Sequence, residues 1–171
     1  MDRQQLRAAQ SPWKDQYRSD PATAVVTLRA TGVLGADVSC NVETGRALVT
    51  AGLHPATGGT GPAACSGDML LQALVACAGV TLSAVATSLA IPVRGGTLTA
   101  EGDLDFRGTL GVAKDAPVGF RDIRLFISID SDAAEPERRK LLELTERYCV
   151  VYQTLVGRPP VRMTYAEEDG P

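Results

Sequence analysis

The chain has 171 residues, 44% of them hydrophobic and 22% charged, and a net charge of −3. That length and composition suit one globular domain that buries a core without staples, and they exclude a disordered chain. The 17 basic residues are scattered and build no stripe, so nucleic acid is not an expected partner.

Residues 1–20 read as a polar lead-in with one short helix ending near Ser11-Pro12. The first ten residues hold no apolar run, so no secretory signal is expected. The expected setting is cytoplasmic and reducing, with the cysteines as thiols at rest. From Thr23 the pattern alternates, with Ala24, Val26, Leu28 and Ala30 on one side of a strand. Gly32 to Gly35 reads as a turn, and Ala36, Val38, Cys40 and Val42 alternate again. Thr44-Gly45 turns the chain into a third strand over Arg46–Thr50. These are hairpin signals and predict antiparallel pairing. The Gly-, Pro- and Thr-rich stretch His54–Ala64 reads as a loop.

The spacing then predicts a long helix from Ser66 to Ala90, with Ser66 as N-cap, Asp68 in the first turn and Pro92 as the stop. Its apolar residues run almost all round, so it should sit centrally with few water-facing sides. Gln72, Thr81, Ser83, Thr87 and Ser88 interrupt it, and its flanks lack anchors, so a core helix is expected and no membrane span. A second β unit follows, with Leu98, Ala100, Gly102, Leu104 and Phe106 on one strand face. After a Gly108–Gly119 loop, Ile123, Leu125, Ile127 and Ile129 form another. A charged helix opened by Ser131 or Asp132, with Pro136 in its first turn, presents Leu141, Leu144 and Tyr148 and pairs Glu143 with Arg147. A helical turn over Cys149–Val156 leads to a last strand, Val161–Tyr165. The order β-β-β-α-β-β-α-α-β is an α+β pattern. One domain over 1–171 is expected, with 1–20 as lead-in and 166–171 as an acidic tail.

Cysteines stand at 40, 65, 77 and 149, with no CxxC pair and no ligand histidine near, so no metal site and no cofactor are expected. Cys40 reads as a small core hydrophobe. Cys65 precedes the long helix, where a thiol can have a lowered pKa, although most such cysteines are structural. Cys77 lies mid-helix among Ala73, Ala76, Ala78 and Gly79, which suits tight packing or close approach by a substrate. Cys149 begins a helical turn, whose partial positive charge favours a thiolate. A buried thiol behind Tyr148 is the competing reading, and Tyr152 and Gln153 should lie close. His54, the only histidine, reads as a turn residue before Pro55. Trp13 and Tyr17 are expected to pack the lead-in onto the body.

The stretch GRALVTAGLHPATGGTGPAACSGDMLLQALVACAGVTL resembles the central block of the OsmC/Ohr family, a loop ending in GP, an acidic residue and an Ala/Leu-rich helix carrying a cysteine. ERYCVVYQTL resembles its second block, a helix running into a cysteine and a short apolar turn. Together with the element order the likeness spans residues 22–165. It implies an OsmC-like fold, antiparallel sheets around a long central helix, in an intertwined homodimer. It also implies a peroxidase cycle on organic hydroperoxides. Cys77 becomes a sulfenic acid, Cys149 condenses with it to a disulfide, and a small thiol or dithiol restores both.

Asp68 stands where relatives carry Asp or Glu, nine residues before Cys77. At about 100° and 1.5 Å per residue that spacing puts it on the opposite side of the helix and about 13 Å along it. Asp68 therefore either serves a Cys77 of the other subunit or only complements the helix dipole. Three departures leave a second reading open, a non-enzymatic dimeric module that binds a small apolar ligand or a partner. The family's arginine has only Arg29 or Arg46 as unanchored candidates, Val150 replaces the usual proline, and Ser66-Gly67-Asp68 replaces the usual Pro-Glu.

Overall fold

A computed structural model describes residues 2–20, 32–34, 39–43, 48–59, 62–111 and 113–165. Helix α1 spans Arg3–Ser19. Asp2 and Gln5 cap it reciprocally: the Gln5 N–H donates to Asp2 Oδ1 at 2.8 Å and the Asp2 N–H to Gln5 Oε1 at 2.9 Å. The expected stop at Ser11-Pro12 does not occur. The helix passes through Pro12, which offers no N–H to the preceding turn, and α1 contacts the long helix.

Strands β2 (Ser39–Glu43) and β3 (Leu48–Gly52) pair antiparallel, as the hairpin signals predict, and β1 (Gly32–Leu34) pairs antiparallel with β2. Gly32–Leu34 is thus a strand, where a turn was expected. Cys40 pairs through its backbone with Leu34 and Ala51. The expected strand at 23–30, with Arg29, and Arg46 beyond it lie outside the described residues. After β3 the chain makes a 3-10 turn over Pro55–Thr57, capped by His54. It then returns parallel to β3 as β4, Ala64–Cys65, inside what was expected to be a loop. The parallel pairing follows because this loop carries the chain back to the start of the neighbouring strand's direction.

Helix α2 runs Ser66–Leu89. Cys65, in extended conformation, is its N-cap and makes no side-chain cap bond, so Ser66 is the first helical residue and not the cap. Ala90 ends the helix in the left-handed region, and the Ile91 N–H closes on the Ala86 carbonyl at 2.9 Å ahead of Pro92. The helix is long and apolar enough to cross a membrane by length and composition. Here it packs on β5, α4 and α5. Only Leu74, Ala78, Leu82 and Ala86, one row at i,i+4 spacing, are buried. The single chain covers one side of α2 and leaves Leu70 and Val80 exposed, so the expectation of few water-facing sides is not met within one chain.

Strands β5 (Gly95–Leu104) and β6 (Phe120–Asp130) form an antiparallel pair whose Leu98, Ala100, Ile123, Leu125, Ile127 and Ile129 turn toward the helices. Phe106 is not on the strand. It starts a short helix α3, Phe106–Thr109, capped by Asp105. Gly102 carries no side chain because the Phe120 ring crosses it, and a Cβ there would lie 2.5 Å from the ring. Arg124 binds Asp103 and Asp122 across the outer face, each at 2.6 Å.

Helix α4, Glu135–Tyr148, starts at Ala134 with Pro136 in its first turn. The Glu137 carboxylate accepts the Ala134 N–H at 2.9 Å. Ser131 does not cap α4 but bridges the approach, donating to the Pro92 carbonyl and accepting from the Ala133 N–H. The buried stripe is Leu141, Thr145 and Cys149, while Tyr148 is exposed. Glu143 pairs with Lys140, and the Arg147 guanidinium lies over the Tyr148 ring. Helix α5 spans Val150–Gly157. Residues 161–165 form no strand. Val161 and Met163 are 91% and 100% exposed, because no strand among the described residues lies beside them.

Candidate active site

The site forms where α2 meets the elbow between α4 and α5. Cys149 closes one helix and opens the next: its N–H donates to the Thr145 carbonyl and its carbonyl accepts the Gln153 N–H, both at 2.9 Å. Its extended backbone (φ −72°, ψ 108°) makes the bend. The Gln153 side chain ties the bend together, donating from Nε2 to the Glu146 carbonyl at 2.8 Å. The buried row Leu141, Thr145 and Cys149 then carries the Cys149 sulfur inward, against Leu74 and Ala78 of α2. Cys77, one residue before Ala78, packs on the same cluster and is half-buried.

The two thiols share this cluster, and each shifts the titration of the other. The first N–H groups of α5 have no carbonyl to bind within the helix, and they point at these sulfurs. Burial pushes the Cys77 thiol up, but the Val151 N–H, the Cys149 thiol, the Val150 N–H and the Thr81 hydroxyl together bring it below its ordinary value. Burial pushes the Cys149 thiol up. The Tyr152 and Val151 N–H groups oppose this and a neighbouring Cys77 charge adds to it, leaving Cys149 raised. One helix N-terminus thus separates two identical groups into a readier thiolate and a thiol that keeps its proton.

Among the described residues no guanidinium or ammonium contributes to the Cys77 environment. Arg29 and Arg46 lie outside the described residues. Asp68 is not brought to Cys77. It sits in the first turn of α2, exposed, beside a cavity of about 340 Å³ shared with His54, Cys65 and Phe106. His54 there is a turn residue, accepting the Ala56 N–H on Nδ1 at 3.1 Å and stacking on Phe106 at 4.9 Å. Cys65 is a free, half-buried thiol. No group of three or more His, Cys, Asp or Glu is placed to hold a metal ion among the described residues.

Thr81 and the Val150 and Val151 N–H groups were not singled out in the sequence. Thr81 was within reach of such reasoning, being four residues after Cys77 on one helix face. The α5 donors were not, since only packing brings α5 against α2.

The OsmC-like protein family matches residues 59–164, more than half of the chain, with Cys77 and Cys149 both inside the match. Among curated protein sequences none matches significantly. Among solved structures, the OsmC-like protein from Mycoplasma pneumoniae is 22% identical with a TM-score of 0.65, over 77% of this chain and 89% of that one. An organic hydroperoxide resistance protein from Elizabethkingia anophelis is 19% identical with a TM-score of 0.63, over 78% and 90%. The organic hydroperoxide resistance protein OhrB of Bacillus subtilis is 18% identical with a TM-score of 0.52, over 77% and 92%. At these identities the likeness establishes the shared α+β fold.

Proposed function

Because this chain belongs to the OsmC-like family, we propose that it is a thiol-dependent peroxidase for organic hydroperoxides, with Cys77 as the attacking and Cys149 as the resolving thiol. The observation that carries this reading is the packing of Cys77 against the cluster that buries Cys149, beneath the N-terminus of α5, with only Cys77 shifted toward thiolate. The Cys77 thiolate attacks the outer oxygen of R–O–OH. The O–O bond breaks, the alcohol leaves after taking a proton, and Cys77 becomes a sulfenic acid. The Cys149 thiol then attacks that sulfur, water leaves, and a Cys77–Cys149 disulfide forms. A small thiol or dithiol reduces the disulfide and is itself oxidised. Such a cycle ends in thiols and suits a reducing, cytoplasmic setting. Solved relatives named for organic hydroperoxide resistance support the substrate class.

The same reading includes an intertwined homodimer in which Asp68 of one subunit serves Cys77 of the other. Its support is the uncovered apolar surface of α2 and the unpaired, alternating segment 161–165. The test is one equivalent of cumene hydroperoxide followed by intact and peptide mass. A loss of two hydrogens mapped to Cys77–Cys149 is expected. Thiols unchanged after prolonged exposure overturn the reading in favour of a binding module. A monomer in sedimentation overturns the dimer, and with it any cross-subunit role for Asp68.

A further inference from the structure

A cavity of about 330 Å³ lies between β6, α4 and α5, with Ala78 of α2 also in its lining. Ile123, Leu125 and Ile127 form one wall and Leu142 the other. The buried Cys149 sits at its floor and Cys77 does not line it. Glu146, exposed, stands at its edge. We propose that this cavity admits the reductant, a neutral apolar thiol or dithiol, and delivers it to the Cys149 sulfur of the oxidised protein. The inference rests on the peroxidase reading, since it concerns the disulfide which that cycle produces.

Three features agree. An apolar wall takes an apolar chain, and a carboxylate at the edge repels an anionic one. From this cavity only Cys149 of the pair is reached. Exchange is also faster when the leaving sulfur is the more stable thiolate, and that sulfur is Cys77, held by the α5 N–H groups. Attack on Cys149 therefore expels the better leaving group, whereas attack on Cys77 would expel the worse. In the first step the reductant thiolate bonds to Cys149 Sγ, the S–S bond breaks, and its electron pair stays on Cys77. In the second a further thiolate attacks the reductant sulfur, releasing a reductant disulfide and the Cys149 thiolate, which takes a proton. Two reductant thiols are oxidised for each protein disulfide reduced.

The experiment starts from protein oxidised with diamide, so it does not depend on peroxide reactivity. The oxidised protein is mixed with 2-mercaptoethanol, quenched with N-ethylmaleimide, and the mixed disulfide is located by peptide mass. The adduct is expected on Cys149 with maleimide on Cys77, and the reverse overturns the proposal. Separately, the rate ratio of neutral 2-mercaptoethanol to anionic 2-mercaptoethanesulfonate is compared between the protein and Glu146→Gln at low ionic strength. The ratio is expected to fall about three- to fivefold, an effect that salt removes. Leu142→Trp, which fills the cavity, is expected to slow butane-1,4-dithiol at least tenfold. An unchanged ratio in Glu146→Gln, or undiminished reduction in Leu142→Trp, overturns the proposal. Disulfide formation with diamide but not with hydroperoxide overturns the peroxidase reading and leaves the cavity test intact. If diamide forms no Cys77–Cys149 disulfide, both fall.

Discussion

Replacing Val150 with proline should raise the pKa of Cys77 while leaving the fold in place. Val150 is the first residue of α5, a position where the N–H has no intrahelical acceptor and where proline is favoured. Cys149 before it already has φ −72° and ψ 108°, the region a residue preceding proline prefers. The Val150 side chain is 69% exposed, so little burial is lost. The change in folding free energy should then stay within about 1 kcal/mol of zero. What is lost is one N–H directed at the Cys77 sulfur. A hydrogen bond to a charged group is worth about 1.5–3 kcal/mol. Val151, Cys149 and Thr81 share the load here, so the lower end applies. That corresponds to up to about a tenfold drop in thiolate at neutral pH. Iodoacetamide alkylation of Cys77, followed by peptide mass across pH, measures the shift, with circular dichroism as the check on helix content. An unchanged alkylation profile in a fully folded variant would refute the claim that α5 stabilises the Cys77 thiolate.

The opposite shifts of the two thiols predict an order. As pH rises, Cys77 should become alkylatable before Cys149, and simultaneous labelling contradicts the assignment. Linkage gives stability a matching sign. The folded pKa of Cys77 lies below its ordinary 9.0, so its stabilising contribution is full above that value and fades as pH falls through the folded pKa. Cys149, raised, contributes below 9.0 and loses its contribution as pH rises. Cys77→Ala should therefore lose most stability at alkaline pH in urea titrations, and a loss independent of pH speaks against the shift. Gln153→Ala removes the bond that ties the elbow at Glu146. At about 1 kcal/mol it should slow disulfide closure roughly fivefold in rapid-quench mass measurements. Leu141→Ala opens a cavity in the cluster of Leu82, Ala86, Ile91 and Ala133, where Leu141 is 0% exposed. A cost of about 2–5 kcal/mol is expected from urea denaturation, and a cost under about 1 kcal/mol would mean that the cluster collapses around the gap.

Much was legible from residue patterns alone. The helix Ser66–Leu89, the β5–β6 pair and the helices around Cys149 follow from local periodicity, caps and turns, which are properties of neighbours along the chain. The two cysteine blocks, whose family residues 59–164 match, were visible for the same reason. Where patterns failed, a nonlocal partner decided. The pairing of β4 with β3 depends on a return path that no two-residue signal announces. Residues 161–165 alternate like a strand, but a strand needs an edge to pair with, and the described residues offer none there. Tyr148 has the right spacing for the buried face of α4, yet the elbow at Cys149 turns that face so that Thr145 and Cys149 go inside.

The site divides along the same line. The sequence by itself determined which thiols were candidates, and that Asp68 and Cys77 cannot meet within one helix, since helix rise and rotation are local constants. Only the tertiary structure decided that Cys77 lies beneath the N-terminus of α5, because that contact joins segments far apart in the chain. Hydrogen-bond donors aimed across such a contact are what make one of two chemically identical thiols the readier thiolate.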